Sequence, residues 1–421
     1  MKLLLRQVSI VDKNSPHHGF VNDILIIDGV IVQIQPTILD NDARIIQATG
    51  WLVSPGWIDI FSNFNDPGFE HKETLETGAN ASASGGYTNV FTLPNTLPVT
   101  DNKSAIEYIV HKSNTLAVSI FPLGAISKKT EGKELAELYD MHNSGAIAFS
   151  DGLLPVQNAG LLLKALQYVK AINAVVIQMP VDASIGKGGL MNEGIISTQL
   201  GLPGIPALGE ELIISRDIEL TKYTGSRLHI TGITTEKSVA LINTAKSEGI
   251  NVTCSVTPYH LMFCDEDLIT YDTNLKTNPP LRSRQDMMAL REAVQDGSID
   301  FIASHHFPQD WDSKICEFEY AQPGMIGLET TFAIINHLFP EMKNERLIEL
   351  FSSNARSIFF PTENVIAAGN KADLTIFERN TTFTYKATDI KGKSHNSPFI
   401  HKELKGKVIG IINKDKVYLN D

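Results

Sequence analysis

A chain of 421 residues that is 43% hydrophobic and 20% charged is neither a disordered tail, a small stapled domain nor a fibrous repeat. Its length admits two or three domains, or one large barrel with additions. Lysine and arginine total 36 against 48 acids, a formal charge of −12, which argues against partners that need a basic surface, such as nucleic acid or an anionic membrane.

The N-terminal MKLLLRQVSIVDKNSP has a short apolar patch broken by Arg6 and Gln7, which reads as a first β-strand rather than a signal peptide. No uncharged run of eighteen apolar residues follows, so no transmembrane helix is predicted. In DILIIDGVIVQIQP, two β-runs flank the single Asp28-Gly29 step, the signature of a tight hairpin. The last fifty residues repeat this style in KADLTIFERN, FTYKAT and GKVIGIINKDKVYLN. Residues 1–52 and 361–421 are therefore predicted to share one small β-sandwich domain, since neither end alone closes a core.

Residues 53–360 alternate short apolar strands with amphipathic, helix-length segments. GYTNVFTLPN leads to NKSAIEYIVHKSN, LAVSIFPLGAIS to a predicted helix over KELAELYDMHNSG, and RLHITGI to EKSVALINTAKSEG. Seven or eight such units imply parallel strands with right-handed crossovers. A (β/α)8 barrel fits the count better than an open sheet, because no G-x-G-x-x-G follows the first strand of the series. Chemistry in such a barrel sits at the C-terminal strand ends. Cys254, Cys264 and Cys316 are odd in number and lack CxxC spacing, which predicts neither disulfides nor structural zinc and a reducing, cytoplasmic setting.

The strand ends read SPGWIDIFSNFNDPG (54–68), FTLPNT (91–96), AFSDGLLPV (148–156), VIQMP (176–180), LHITGITT (228–235), TPYHL (257–261), NPPLR (278–282) and IASHHFPQ (302–309). With GGLMNEG (188–194), GLPGIPALGEEL (201–212), PGMIGLET (323–330) and the terminal GKSHNSPF, the chain resembles a dihydroorotase of the larger bacterial class, within the amidohydrolase superfamily. The resemblance covers nearly the whole length. It implies a (β/α)8 barrel with a small β-sandwich, zinc at the barrel mouth of active relatives, and reversible hydrolysis of a cyclic amide in pyrimidine biosynthesis. Zinc would supply a hydroxide and polarise the ring carbonyl, and an aspartate would serve as general acid and base.

Set against that expectation, the residues depart from the family pattern. Where relatives carry His-x-His followed by leucine and arginine, this chain has Phe61-Ser62-Asn63-Phe64-Asn65. The aspartate pair before glycine is reduced to Asp151, the next ligand histidine is Gln178, and the histidine of the His-Val-Ser step is Gly232. The catalytic aspartate of Asp-His-Ala-Pro-His is His305, and the last histidine of that motif is Gln309. Metal affinity rests on ligand number and type, so no zinc, no other cofactor and no catalytic residue is expected. Asn65, Asn95, Asn278 and Gln309 fall where relatives contact substrate, and could form a residual pocket. His229, His260, His306 and His71 read as structural, as do Asp59 and Asp66.

Inactive relatives of this type are structural partners of aspartate carbamoyltransferase, so the resemblance implies a homo-oligomer or hetero-complex acting through its surface. Two further readings stand beside it. One is an active cyclic amidohydrolase with a non-standard or single-metal site on Asp151 and His305. The other is a binding module for pyrimidine intermediates using Asn95 and Asn278.

Overall fold

The computed structural model describes residues 1–362 and 364–420. The Asp28-Gly29 step turns as its sequence predicts: Val21–Ile27 and Val30–Gln35 pair antiparallel, with Ile27 opposite Val30. Both turn residues have positive φ, 47° and 78°, which is what a type I′ hairpin requires. A side chain on Gly29 would also meet the Lys414 backbone at 2.6 Å.

Lys2–Ile10 pairs with this hairpin on one side and with Arg44–Gln47 and Leu52–Pro55 on the other. Leu52–Pro55 then pairs antiparallel with Asp373–Thr384, and the sheet continues through Glu403–Asn413 to Lys416–Leu419. Both chain ends thus build one mixed sheet around a shared apolar cluster of Leu3, Leu5, Ile24, Ile26, Leu374 and Ile376.

The central part forms parallel strands in two arcs. Trp57–Ser62, Tyr87–Thr92 and Ser119–Pro122 make the first. Ala148–Phe149, Val175–Gln178, Leu228–Thr231, Val252–Val256 and Phe301–Ile302 make the second. A parallel bridge between Gly124 and Phe149 joins the arcs at one seam. At the other, Asn63 N donates to His306 O at 2.9 Å and Ser304 N to Asp59 Oδ1 at 2.6 Å. Eight parallel strands therefore close into a barrel among the described residues, the (β/α)8 architecture expected from the strand–helix alternation. Among them no helix is long and apolar enough to cross a membrane.

One element differs from its prediction. The helix expected from Lys133 begins only at Leu138 and ends at Asn143. Glu134 O accepts from Lys128 N, and Ala136 N donates to Ile126 O, so residues 134–136 spend their backbone groups on a neighbouring turn. Tertiary hydrogen bonds outbid local helix propensity there.

Candidate functional site at the barrel mouth

Phe61 lies on the first barrel strand, Trp57–Ser62, in which every residue is buried. It packs with Ile60, Leu93, Ile177, Met179 and Phe301, so the apolar filling of the barrel extends up to the mouth. Above it lies His305, beyond the last strand, at a φ of 43° that few non-glycine residues adopt. The imidazole and the Phe61 ring stand 4.4 Å apart with an interplanar angle of 31°. Gly232 lies close beneath: a β-carbon there would meet His305 Cε1 at 2.5 Å, so the missing side chain makes room for the ring.

The His305 imidazole is tied into the barrel through Nε2. His305 Nε2 hydrogen-bonds Thr231 Oγ1 at 2.8 Å, Thr231 continues to Ser255 Oγ, and Ser255 to His229 Nε2, both at 2.9 Å. His229 ends the chain on Thr253 Oγ1 and stacks on Phe301 at 4.7 Å. Burial holds His305 neutral, pushing its pKa down to about 3, with His260 adding to the shift. The same burial holds His229 well below the ordinary imidazole value.

Asp151 is buried, and both carboxyl oxygens are taken by Ser127: the amide at 2.9 Å and the hydroxyl at 2.5 Å. Burial raises its pKa to about 6, against the pull of those two bonds. Gln178 donates to Val156 O at 3.1 Å, leaving its Oε1 buried without a partner. Asn63 accepts from Asn65 N at 3.2 Å. Asp151 and His305, the pair a single-metal hydrolase would use, thus direct their polar atoms at Ser127 and Thr231.

The four residues at substrate-contact positions are not equivalent. Asn65 folds back on Asn63. Asn95 bridges Asp151 O and Leu153 N, anchoring the loop after the Ala148–Phe149 strand. Gln309 donates to Pro323 O and accepts from Lys72 Nζ, both at 2.8 Å. Only Asn278 has a side chain free of hydrogen bonds among the described residues, and it lines two cavities at once. One, of about 10 Å³, is bounded by Phe61, Tyr259, His305 and Phe307, and has room for about one water. The other, of about 430 Å³, lies outward, among Gly189, Lys276, Arg282 and Tyr320.

The remaining histidines do not converge on the mouth. His306 accepts from Gly327 N at 3.3 Å through Nδ1, which directs its Nε2 proton at Glu73 Oε2, 3.6 Å away. It meets Phe64 edge-on, so it and His305 serve different walls. His260 sits between Thr257 and the Pro279 and Pro280 carbonyls, with burial pushing its pKa down to about 3. His71 is exposed. Asp59 binds Ser62 and the Ser304 amide, and Asp66 binds the Leu75 amide and Lys112, so both hold backbone and neighbours in place.

Thr231, Ser255 and Ser127 complete this arrangement but carried no motif of their own. For Thr231 and Ser255 the available signal was strand alternation, which turns every second residue inward. At the rim, Glu210 and Arg282 are buried 3.7 Å apart, from GLPGIPALGEEL and NPPLR. Glu210 also accepts from the Thr234 and Thr235 amides and from the Thr234 and Ser238 hydroxyls. Arg282 donates to Thr234 Oγ1, Asn192 Oδ1 and Ile205 O.

Residues 50–238 match the Dihydro-orotase-like family. Over 430 aligned residues the chain is 40% identical to a dihydroorotase of Pelotomaculum thermopropionicum, covering 100% of this chain and 99% of that one. It is 37% identical over 414 residues to a dihydroorotase of Syntrophus aciditrophicus, with 97% of each chain covered. Among solved structures, an L-hydantoinase (dihydropyrimidinase) from Arthrobacter aurescens superposes with a TM-score of 0.85 at 24% identity, covering 99% of this chain and 97% of its own. A dihydropyrimidinase from Brevibacillus agri gives 0.85 at 20% identity, covering 100% of this chain and 95% of its own, and both share the fold. With identity of this order over its full length, the chain belongs to the dihydroorotase-like family.

Proposed function

We propose that this chain is a dihydroorotase homologue of pyrimidine biosynthesis that lacks the hydrolase chemistry and acts as a structural partner of aspartate carbamoyltransferase. The observation that carries the loss of chemistry is the close, tilted packing of Phe61 against His305 at the barrel mouth. A dication there needs several nitrogen or oxygen lone pairs converging on one point. The groups that converge are a phenyl ring, an imidazole tied to Thr231, and a glycine that makes room for that imidazole. Asp151 is turned onto Ser127. This donor set does not fit a zinc ion, and it offers no other group to generate a hydroxide at neutral pH.

The partnership is supported by the intact body around that mouth. The family motifs at the rim still form a fully hydrogen-bonded buried network, so the barrel is kept as a scaffold. The test is zinc content by plasma mass spectrometry, with dihydroorotate hydrolysis assayed with and without added zinc. Substoichiometric metal and no turnover are expected; stoichiometric metal with turnover would overturn the reading. Copurification with the transferase tests the partnership separately, and its failure would remove that half.

A second reading, a binding module for pyrimidine intermediates, is favoured by the free carboxamide of Asn278 facing the 430 Å³ cavity. Thermal stabilisation by dihydroorotate or carbamoyl aspartate, lost in Asn278→Ala, would support it. Flat melting curves across both compounds would remove it.

A further inference from the structure

Residues 307–324 leave the end of the last barrel strand and return to Met325, where Phe307 N donates to Met325 O at 2.9 Å. The stretch carries four acids, Asp310, Asp312, Glu317 and Glu319, and one cation, Lys314. That cation is turned inward. Lys314 is buried, and its Nζ donates to Gln322 O at 2.9 Å and Gly324 O at 3.2 Å. Lys276, from the adjoining segment, is buried as well and donates to Phe318 O at 2.7 Å and Glu319 O at 3.0 Å. Thr273 Oγ1 donates to Lys314 O, and Gln322 N to Ser313 O. The loop is thus pinned from beneath through its own carbonyls.

What it turns outward is apolar and acidic. Trp311 is 72% exposed, Ile315 56% and Tyr320 70%. Asp312, Glu317 and Glu319 are exposed and form no ion pair among the described residues. Large apolar side chains grouped on a firmly held loop lose little freedom on binding, and tryptophan and tyrosine are the residues that most often anchor interfaces.

We infer that the 307–324 loop is a docking knob for a protein surface that presents arginines around an apolar patch. Guanidinium groups pair with carboxylates and stack on aromatic faces, so one residue type satisfies both halves of this surface. A second copy meeting the knob face to face would oppose like charges, on a chain whose net charge is −12. Phosphate backbones and anionic lipids are repelled for the same reason. That the partner is the transferase rests on the reading above; the chemistry of the surface does not.

The test uses the full-length chain and purified aspartate carbamoyltransferase from the same organism, with complex formation measured by sedimentation velocity. Trp311→Ala/Tyr320→Ala and Asp312→Lys/Glu317→Lys/Glu319→Lys are each expected to raise Kd at least tenfold. Tyr223→Ala, 77% exposed on the Ala207–Thr224 helix, is expected to leave it unchanged. Circular dichroism melts confirm that each variant folds. Wild-type binding by both knob variants would overturn the knob and leave the partnership standing. If the wild-type chain forms no complex, the partnership fails, and tryptophan fluorescence titrated with a hexa-arginine peptide decides the knob. A quench that the triple lysine variant abolishes supports it, and an unchanged wild-type signal overturns it. Self-association abolished by Trp311→Ala/Tyr320→Ala would also overturn it, in favour of a second copy.

Discussion

At the centre of the barrel mouth, Phe61 packs against a neutral His305 that lies close to Gly232, with both Asp151 oxygens drawn onto Ser127. A short way out, at the rim, Glu210 and Arg282 are buried as an ion pair, the carboxylate taking four further donors and the guanidinium three. The centre buries neutral rings beside one carboxyl that ionises as pH rises through about 6, and the rim buries an ion pair whose groups are all hydrogen-bonded. The apolar groups of the centre pack as ordinary core, so truncating one of them leaves only a cavity. The rim network cannot be dismantled so cheaply, because a buried charge deprived of its partner is expensive.

That contrast can be broken first at the rim. Arg282→Ala strands Glu210 and is expected to cost about 4 kcal/mol, read from urea denaturation midpoints. A cost below about 1 kcal/mol would mean that the rim is not what holds the mouth loops. At the centre, Phe61→Ala opens a cavity and is expected to cost about 3 kcal/mol. If that variant were instead as stable as the parent, Phe61 would not be core, and the space above it would be a working pocket.

The smallest effect sharpens the comparison through pH. The folded pKa of Asp151, about 6, lies above its ordinary value of 3.8, so the folded state holds the proton longer. Stability from this group is complete below about pH 4 and is lost as pH rises through about 6. Asp151→Asn keeps neutral partners for Ser127 and removes that loss. It is expected to gain stability at pH 8 and nothing at pH 4, measured as the difference in melting behaviour at the two values. Equal effects at both would place the carboxyl outside the buried mouth.

Much of this was legible in the chain. Asp28-Gly29 announced its hairpin because only residues that tolerate positive φ make that turn. The strand–helix alternation announced the barrel, since parallel strands need crossovers. Which side chains stand at 61, 63, 178, 232 and 305 could be read by position. Their arrangement could not, because nothing local says that the ring of His305 lies on Phe61 or that Asp151 meets Ser127. The shortened helix at 138–143 was misread for a related reason: distant backbone partners took residues that propensity assigned to a helix. Asn95 and Asn278 match family positions for substrate contact, and Asn65 and Gln309 stand where the family has other residues, yet of these four only Asn278 faces a cavity with its amide unspent.

The 307–324 loop was silent in the sequence. It has no period, and its order comes from Lys276 and Lys314 binding carbonyls, an arrangement no spacing rule encodes. By itself the sequence determined the class of fold, the family, and which chemical groups stand at the strand ends, because periodicity, turn residues and side-chain identity are local properties. Tertiary structure alone decided what those groups do: which are stacked, which are tied to a neighbour, and which aromatics face outward. Burial, hydrogen-bond partnership and pKa arise only when residues distant in the chain are brought within a few ångströms of one another.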